Sequence, residues 1–283
     1  MILSASRRTD IPAFYAEWFA HRLKAGYLQT RNPFRPSQTK RLGLSPQSIE
    51  GIVFWTKDPL KFLPVLDELD AAGYAYFFQF TLTPYDRRLE PGLRDKEAII
   101  QTFIDLSMRL GKERLLWRYD PIILDEELTI SYHQQRFTAL CEQLAEYTPQ
   151  VTISFLDIYR KIAAKGFREA SAEEMTELSE KLAGIASAYG LSIRACCEAL
   201  DLSPYGIAKA RCIDETILAR QSGKEIVVAK DRNQRPGCGC AAALDIGAYN
   251  TCAHGCTYCY ASLGPGAIAR KLSRHDPLAE RLT

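Results

Sequence analysis

The amino-acid sequence predicts an α/β protein built on a parallel sheet, curled into a partial or closed (β/α) barrel. Two patterns carry this expectation. Short apolar runs rich in β-branched and aromatic residues alternate with amphipathic stretches of helical length, the βαβα rhythm of parallel sheets. Reactive side chains also recur just past the ends of the apolar runs, the face on which barrel active sites are built.

Strands are expected over Met1 to Ser6, Gly51 to Thr56, Ala75 to Thr83, Arg114 to Arg118, Gln150 to Phe155 and Leu191 to Cys196. They are nearly continuous in apolar residues, as strands covered on both faces must be. Helices are expected over Pro12 to Lys24, Pro59 to Ala72, Lys96 to Leu110, Ser131 to Glu146 and Ala172 to Tyr189. This alternation implies crossovers of one hand. Six strands in succession suit a TIM-like barrel, partial or closed, and a doubly wound sheet is the alternative. In this register Arg7 to Asp10, Lys57, Asp58, Thr81, Thr83 and Asp120 all fall just past strand ends. After Leu200 the texture turns to small residues, Gly and Cys, with a strand-like run over Ala243 to Tyr249 and a last helix over Pro265 to Arg274. The expected organisation is a barrel core over residues 1–200 and a cysteine-rich segment over residues 201–283 that completes the barrel and carries the metal sites.

An apolar share of 47% and a charged share of 25% are those of an ordinary soluble protein, and no apolar run is long enough for a membrane span. Met1 to Ser6 leads straight into Arg7 and Arg8 without the order of a secretory signal, so a cytoplasmic protein is expected. A net charge of +2 offers no general field for polyanions. The basic run Arg31, Arg35, Lys40, Arg41 points only weakly to something acidic, and nothing argues for nucleic acid. In a reducing compartment 9 cysteines do not form a disulfide framework, and metal binding is the usual alternative.

The strongest signal is TCAHGCTYCYA, Thr251 to Ala261, in which Cys252, Cys256 and Cys259 are spaced C-x3-C-x2-C. Three thiolates on one short loop bind three irons of a 4Fe-4S cubane and leave the fourth iron open. A zinc knuckle is the alternative, although a structural zinc takes four closed ligands and this triad supplies three. Tyr258 and Tyr260 are placed to shield a cluster, and His254 within the loop either bonds a cluster sulfur or faces solvent.

This spacing, with the aromatic Tyr258 before the third cysteine, resembles the signature of the radical S-adenosylmethionine (SAM) superfamily. The resemblance implies SAM chelated by the open iron, its reductive cleavage to a 5'-deoxyadenosyl radical, and hydrogen abstraction from a substrate. In that superfamily the signature follows the first strand. Its place here implies a circular permutation, with Ala243 to Tyr249 as the family's first strand, Pro265 to Arg274 as its first helix and Met1 to Ser6 as its second strand. The rest of the chain resembles the spore photoproduct lyase branch in permuted order. SRRTDIPAFY (Ser6 to Tyr15) resembles its threonine-aspartate-proline-tyrosine turn, and FWTKDP (Phe54 to Pro59) its threonine-lysine strand end. LEPG (Leu89 to Gly92) resembles its substrate-side loop and RYDPII (Arg118 to Ile123) a later strand end. The closest resemblance overall is to an uncharacterised family, a domain of unknown function that ends in such a cysteine-rich segment.

Carried over residue by residue, the resemblance makes Thr9, Asp10, Thr81 and Thr83 candidates for holding the methionine and ribose groups of SAM. Lys57 becomes a partner for its carboxylate, with Asp120 beside them at a strand end. Asp10 before Ile11-Pro12 is also a good N-cap, and Lys57 also reads as a solvated strand end. No glycine-glycine-glutamate turn of the common radical SAM type is present. Photolesion repair does not carry over, because the resemblance covers the SAM-binding scaffold and not a substrate site.

Cys196, Cys212, Cys238 and Cys240 form a second candidate set, with Cys197 in reserve. The glycine between Cys238 and Cys240 lets the backbone fold around a metal, and four thiolates close a site. An auxiliary 4Fe-4S cluster, a structural zinc and unmetallated buried thiols are the open alternatives. Cys141, inside a helix, is expected in the core. Glu198, Asp214 and Asp245 neighbour these cysteines, where surface or capping roles are expected over substrate-facing ones. His21, His133 and His275 show no partner pattern. The function expected is that of an iron-sulfur radical SAM enzyme acting on an unknown substrate and served by a reductant such as ferredoxin or flavodoxin. A non-catalytic iron-sulfur electron carrier or redox sensor and a zinc-binding scaffold are the alternatives from other classes.

Overall fold

The computed structural model describes residues 1–35, 37–235 and 237–282. Strand β1 (Ile2–Ala5) leads into the short helix α1 (Ile11–Phe14) and then α2 (Ala16–Ala25). Asp10 caps α1, its carboxylate accepting the Ala13 N–H at 2.9 Å, and Gly26 ends α2 in left-handed backbone at φ 73°. An antiparallel hairpin of β2 (Tyr27–Arg31) and β3 (Thr39–Gly43) follows, outside the main sheet. The chain returns through β4 (Gly51–Thr56), α3 (Leu63–Ala71), β5 (Tyr76–Thr81), α4 (Lys96–Leu110), β6 (Leu115–Ile122), α5 (Ile130–Leu144), β7 (Gln150–Phe155), α6 (Ala172–Ala188) and β8 (Ser192–Ala195). Then come β9 (Ala208–Lys209), α7 (Glu215–Ser222), β10 (Ala243–Asp245) and α8 (Pro265–Leu272).

Eight strands make one parallel sheet in the order β10-β1-β4-β5-β6-β7-β8-β9. Apart from β10 this is the order of the chain, so each crossover advances the sheet in the same direction. β10 pairs with the first strand, setting Ile2, Leu3 and Ser4 opposite Ala243, Leu244 and Asp245. The edges β9 and β10 do not pair with each other among the described residues, so the closed form of the expected barrel is not made. The two edge strands are short, and the stretch between them is tied by single bonds in place of a ladder. The Ala241 N–H donates to the Ile213 carbonyl (3.0 Å) and that of Ala242 to Ala229 (2.8 Å).

Side chains alternate between two unlike faces of the sheet. On one face Leu3, Phe54, Phe78, Trp117 and Ile153 join residues of α1 to α6 in a single large core. Phe54 stands against Phe19, Phe62 and Phe78 with ring centroids 5.5, 4.7 and 5.0 Å away. Each such buried ring contributes about 2–3 kcal/mol. On the other face Ile2, Val53, Phe77 and Leu116 meet Ile217 and Leu218 of α7 in a smaller core. The fit is close enough that a Cβ on Gly51 would lie 2.6 Å from Leu218 Cδ1. Two residues further along, this second face turns polar, with Gln79, Arg118, Asp120 and Ser154. The apolar part fills the strand beginnings and leaves the strand ends for chemistry.

The expected elements depart from the observed ones in a few places. The helix over Pro12 to Lys24 is broken at Tyr15. The last strand, expected over Ala243 to Tyr249, stops at Asp245, whose carboxylate accepts the Gly247 N–H (2.9 Å) and turns the chain. β6 runs on to Ile122 with a register irregularity between Tyr119 and Ile122. The residues after α8 return to α2, where the Trp18 indole donates to the Ala279 carbonyl (2.9 Å) and Arg22 to that of Leu278 (3.0 Å). No helix among the described residues is long and apolar enough to cross a membrane.

His133 on α5 is wholly buried, with Nε2 2.8 Å from the Ile123 carbonyl and Nδ1 2.7 Å from the Tyr119 hydroxyl. A neutral ring satisfies both contacts, donating from Nε2 and accepting at Nδ1. Burial pushes its pKa down from 6.5 to about 4. The unfolded chain takes up this proton near pH 6.5 and the folded chain only near pH 4, so the contribution is full above pH 6.5 and drains as the pH falls to 4. Urea unfolding of wild type and His133→Gln should show the wild-type advantage shrinking by about 3 kcal/mol over that window.

Candidate functional site

The loop from Asn250 to Ala261 is fastened to the segments that follow β1 and β5. The Gly92 N–H donates to the His254 carbonyl (2.8 Å), the Thr257 N–H to Leu89 (2.9 Å), and the Tyr15 hydroxyl to Thr251 (2.6 Å). Gly92 is required because backbone meets backbone there. A Cβ would overlap the Ala253 carbonyl oxygen and lie 2.7 Å from that of His254. His254 is buried, with Nε2 2.8 Å from Asp10 Oδ2 and its ring edge-on to Phe14 at 4.6 Å. The solvent-facing alternative for His254 is therefore overturned: the Asp10 carboxylate, reached across the sheet, draws the imidazole inward. The same Asp10 oxygen accepts the Lys57 N–H at 2.7 Å.

Beside Tyr258 lies Glu90, only 1% exposed, which accepts from Lys57 Nζ (2.7 Å), Lys96 Nζ (2.5 Å), Thr83 Oγ1 (2.7 Å) and the Tyr258 hydroxyl. Burial alone would raise its pKa, but Lys57 and Lys96 outweigh burial and hold it down at about 2. Burial likewise works against the Lys57 ammonium, and Glu90 beside it reverses the balance, leaving it raised above the ordinary lysine range. Lys57 is thus no solvated strand end but one side of a buried ion pair.

Among the residues expected to contact SAM, Asp10, Lys57, Thr83 and Asp120 are committed within the protein. Asp120 accepts from the Ser154 hydroxyl and the Arg118 guanidinium. Thr9 and Thr81 differ. Thr9 Oγ1 is buried with no hydrogen-bond partner, and Thr81 is half-buried at the end of β5 with no side-chain bond among the described residues. His254 Nδ1 is likewise buried without a partner.

The three triad thiols sit together beneath this framework. Burial raises all three pKa values, that of Cys256 to about 12, and the neighbouring sulfurs Cys256 and Cys259 add to the rise at Cys252. The backbone N–H of Ala261 reaches Cys259 Sγ at 3.3 Å. Lys57 brings positive charge to Cys256, and Lys165 to Cys259. Buried thiols take the thiolate form only with a cation to neutralise them, and N–H bonds to sulfur are among the contacts that tune cluster ligands. The donor set and the orphaned polar atoms around it fit a cluster with a small polar ligand.

The second cysteine set lies on the same polar face. Cys196 Sγ is 3.4 Å from Cys212 Sγ. Cys197, Cys238 and Cys240 lie near enough to this pair for the thiols to influence one another's protonation. Cys197, expected in reserve, stands next to Cys196 with its backbone turned to φ 60°. Arg118 Nη1 donates to Cys212 Sγ at 3.0 Å. An open cleft of about 460 Å³ lies beside Cys238 and Cys240, lined also by Lys209 and Arg211. Among the described residues no three His, Cys, Asp or Glu side chains are arranged as the ligands of a single metal ion. A cubane makes a different demand, spreading its thiolates over separate irons.

The neighbouring acids take mostly structural places. Asp214 caps α7 through the Thr216 N–H (3.0 Å), and Asp245 accepts from Ser6 Oγ (2.6 Å) and the Arg7 N–H (2.9 Å). Glu198 accepts the Phe155 N–H (2.9 Å) and is half-buried, and burial pushes its carboxyl up to about 7. Cys141 is 0% exposed in the core as expected. Glu90, Lys96 and Arg118 are the site residues that sequence reasoning missed. For Arg118 a signal existed: it stands two residues past Leu116 on the inward face of β6.

A one-directional parallel sheet with two groups of cysteines at its strand ends defines the class: an α/β protein with its cysteines gathered on the carboxyl-end face. The chain belongs to the family described as a domain of unknown function (DUF1848), which it matches over residues 2–261. That span runs from β1 to the end of the triad loop and contains both cysteine sets. No curated protein and no solved structure is similar to the chain.

Glu90→Gln leaves two buried lysines without their counter-charge. It should cost about 3–5 kcal/mol in urea unfolding, the scale for breaking a buried ion pair, whereas truncating the exposed Glu127 of the Arg88 pair should cost less than about 1 kcal/mol.

Proposed function

We propose that the protein is a radical SAM enzyme, with a 4Fe-4S cluster held by Cys252, Cys256 and Cys259 and the parallel sheet acting as a circularly permuted partial (β/α) barrel. The observation that carries this reading is a convergence. SRRTDIPAFY and LEPG both bond the triad loop, through Asp10 to His254 and through Gly92 and Leu89 to the loop backbone. FWTKDP joins them through Lys57, whose ammonium lies 5.7 Å from the Tyr258 ring centroid. Asp120 of RYDPII is close enough to contribute to the charge environment of Lys57. Segments far apart in the chain, each resembling one branch of radical SAM enzymes, meet around the cysteines that resemble its signature.

When bound, such a cluster and SAM supply reductive cleavage of the sulfonium and a 5'-deoxyadenosyl radical that abstracts a substrate hydrogen. The chain's own part is holding and orientation. The hydroxyls of Thr9 and Thr81 and the Nδ1 of His254, which have no partner among the described residues, are the atoms available to a bound cofactor. Asp10, Lys57 and Thr83 act one step back: through His254 and Glu90 they fix the loop that carries the cysteines. Tyr258, 6% exposed, excludes water from its inner side. Cys196, Cys212, Cys238 and Cys240, with Cys197, take a second metal, proposed as an auxiliary 4Fe-4S cluster. A ferredoxin or flavodoxin in the cytoplasm supplies the electron.

Anaerobically reconstituted protein, reduced with dithionite and given SAM, should release 5'-deoxyadenosine, and a Cys256→Ala variant should release it at background. Wild-type protein that holds its full cluster and yields no more than the variant would sink the SAM reading and favour an iron-sulfur electron carrier. Iron, sulfide and zinc counts on the same sample decide the second site: about eight irons per chain for two cubanes, about four irons with one zinc for a zinc site.

A further inference from the structure

Arg7, the first residue after the strand end at Ser6, carries a guanidinium that is left without an acceptor among the described residues. Its backbone is fully engaged, the N–H donating to Asp245 (2.9 Å) and the carbonyl accepting from the Tyr260 hydroxyl (2.9 Å). Its guanidinium makes no hydrogen bond or ion pair among the described residues and rests on the indole of Trp55, 5.0 Å from the ring centroid. The indole is itself fixed, donating from Nε1 to Ser4 Oγ at 3.2 Å. Arg118 lies over the same indole at 5.1 Å, but its nitrogens are used by Asp120, Cys212 and Gln79. Arg235 on the far side of the second cysteine set is paired with Asp157. Arg7 is thus a half-buried, rigidly seated fork of N–H donors between the triad loop, reached through Tyr260, and the second set, whose Cys212 and Cys240 lie within its electrostatic reach.

We propose that Arg7 receives an anionic oxygen group of the substrate, a carboxylate or a phosphate, and so holds the substrate between the two sulfur sites. This rests on the radical SAM reading above and adds a substrate class to it. An unpaired guanidinium matches planar carboxylate and phosphate groups with two parallel bonds, and a stacked guanidinium loses little freedom in making them. The position separates this anion from the carboxylate of SAM. The orphaned atoms available to SAM surround His254 and Thr9, beside Cys252 and Asp10, whereas Arg7 faces Trp55 and the second set.

The test is phenylglyoxal labelling of anaerobically reconstituted protein, read at Arg7 by peptide mass mapping, with inorganic phosphate, acetate and SAM as separate additions. Arg7 should label faster than Arg118, and saturating phosphate or acetate should slow it about tenfold. The anion that protects tells a phosphate ester from a carboxylate. Arg7→Gln removes the stack on Trp55 but no protein hydrogen bond, so its Tm should stay within about 4 °C of wild type while its affinity for the protecting anion falls about tenfold or more. Labelling of Arg7 unaffected by either anion, or protection by SAM in their place, overturns the proposal. 5'-Deoxyadenosine is measured on the same preparation without either anion. Its absence alongside intact anion protection faults the SAM chemistry and leaves the anion site standing.

Discussion

A carboxylate buried among three elements and a loop sets the geometry on which the rest of the face depends. Glu90 has its oxygens shared between the end of β4 through Lys57, the segment after β5 through Thr83, the opening of α4 through Lys96, and the cysteine loop through Tyr258. A lone carboxylate with 1% exposure is penalised by several kcal/mol, so these partners are not optional. Two ammonium groups more than offset the penalty, since the group stays ionised in spite of burial. A second carboxylate, Asp10, does the same on the other side of the loop, through His254, the Lys57 N–H and the cap of α1. Hydrogen bonds to charged groups hold the Cys252 to Cys259 loop at both ends, the kind of positioning by the protein that the proposed ligand set would need.

The sheet decides where such a loop can be. Because α7 fills the inner face at the strand beginnings, the polar, accessible part of that face is at the strand ends. β10 then brings the last part of the chain to the first strand, and the contact is intimate: Ser6 Oγ meets Asp245 at 2.6 Å, and Gly247 has no room for a Cβ against Ser6. The large sequence separation between Asp10 and His254 costs nothing further once β1 and β10 are neighbours. On the permuted-barrel reading this is the joint at which an ancestral order was cut and rejoined, and it lies where chain ends are tolerated.

Much of the framework was legible because its signals are local. Strands such as Gly51–Thr56 and Gln150–Phe155 and the helix Lys96–Leu110 coincide with their expected ranges, since apolar runs and helical periods are set by neighbouring residues. The failures have physical reasons. α7 is short and mostly polar outside Ile217 and Leu218, so its burial is owed to Val53 and Phe77 from other strands. The hairpin β2–β3 exposes nearly all of β3, so its sequence lacks the apolar run by which the other strands were expected. β6 continues through Asp120-Pro121, a pair that ordinarily argues for a strand's end. At the site the cysteine spacing was visible because three ligands share one loop. Glu90 was not, because its charge state belongs to Lys57 and Lys96, and the placement of His254 stayed open because its partner Asp10 sits 244 residues away.

Composition also concealed the electrostatics. A chain of net charge +2 gives no hint of a concentrated field, yet the cations of the strand-end face are distributed by sulfur group. Lys57 and Lys165 attend Cys256 and Cys259, Arg118 and Arg7 attend Cys212, and Arg235 attends Cys196 and Cys197. Thiolates gathered on a metal leave a site with excess negative charge, whether the metal is one zinc or a cubane of irons, and in a half-buried place that charge is screened only by fixed neighbours. Burial works against the charge of Lys57, Arg7, Arg118 and Arg235, so their presence here opposes their own solvation. On the iron-sulfur reading proposed above, these cations would offset the negative charge that the thiolates carry once metal-bound.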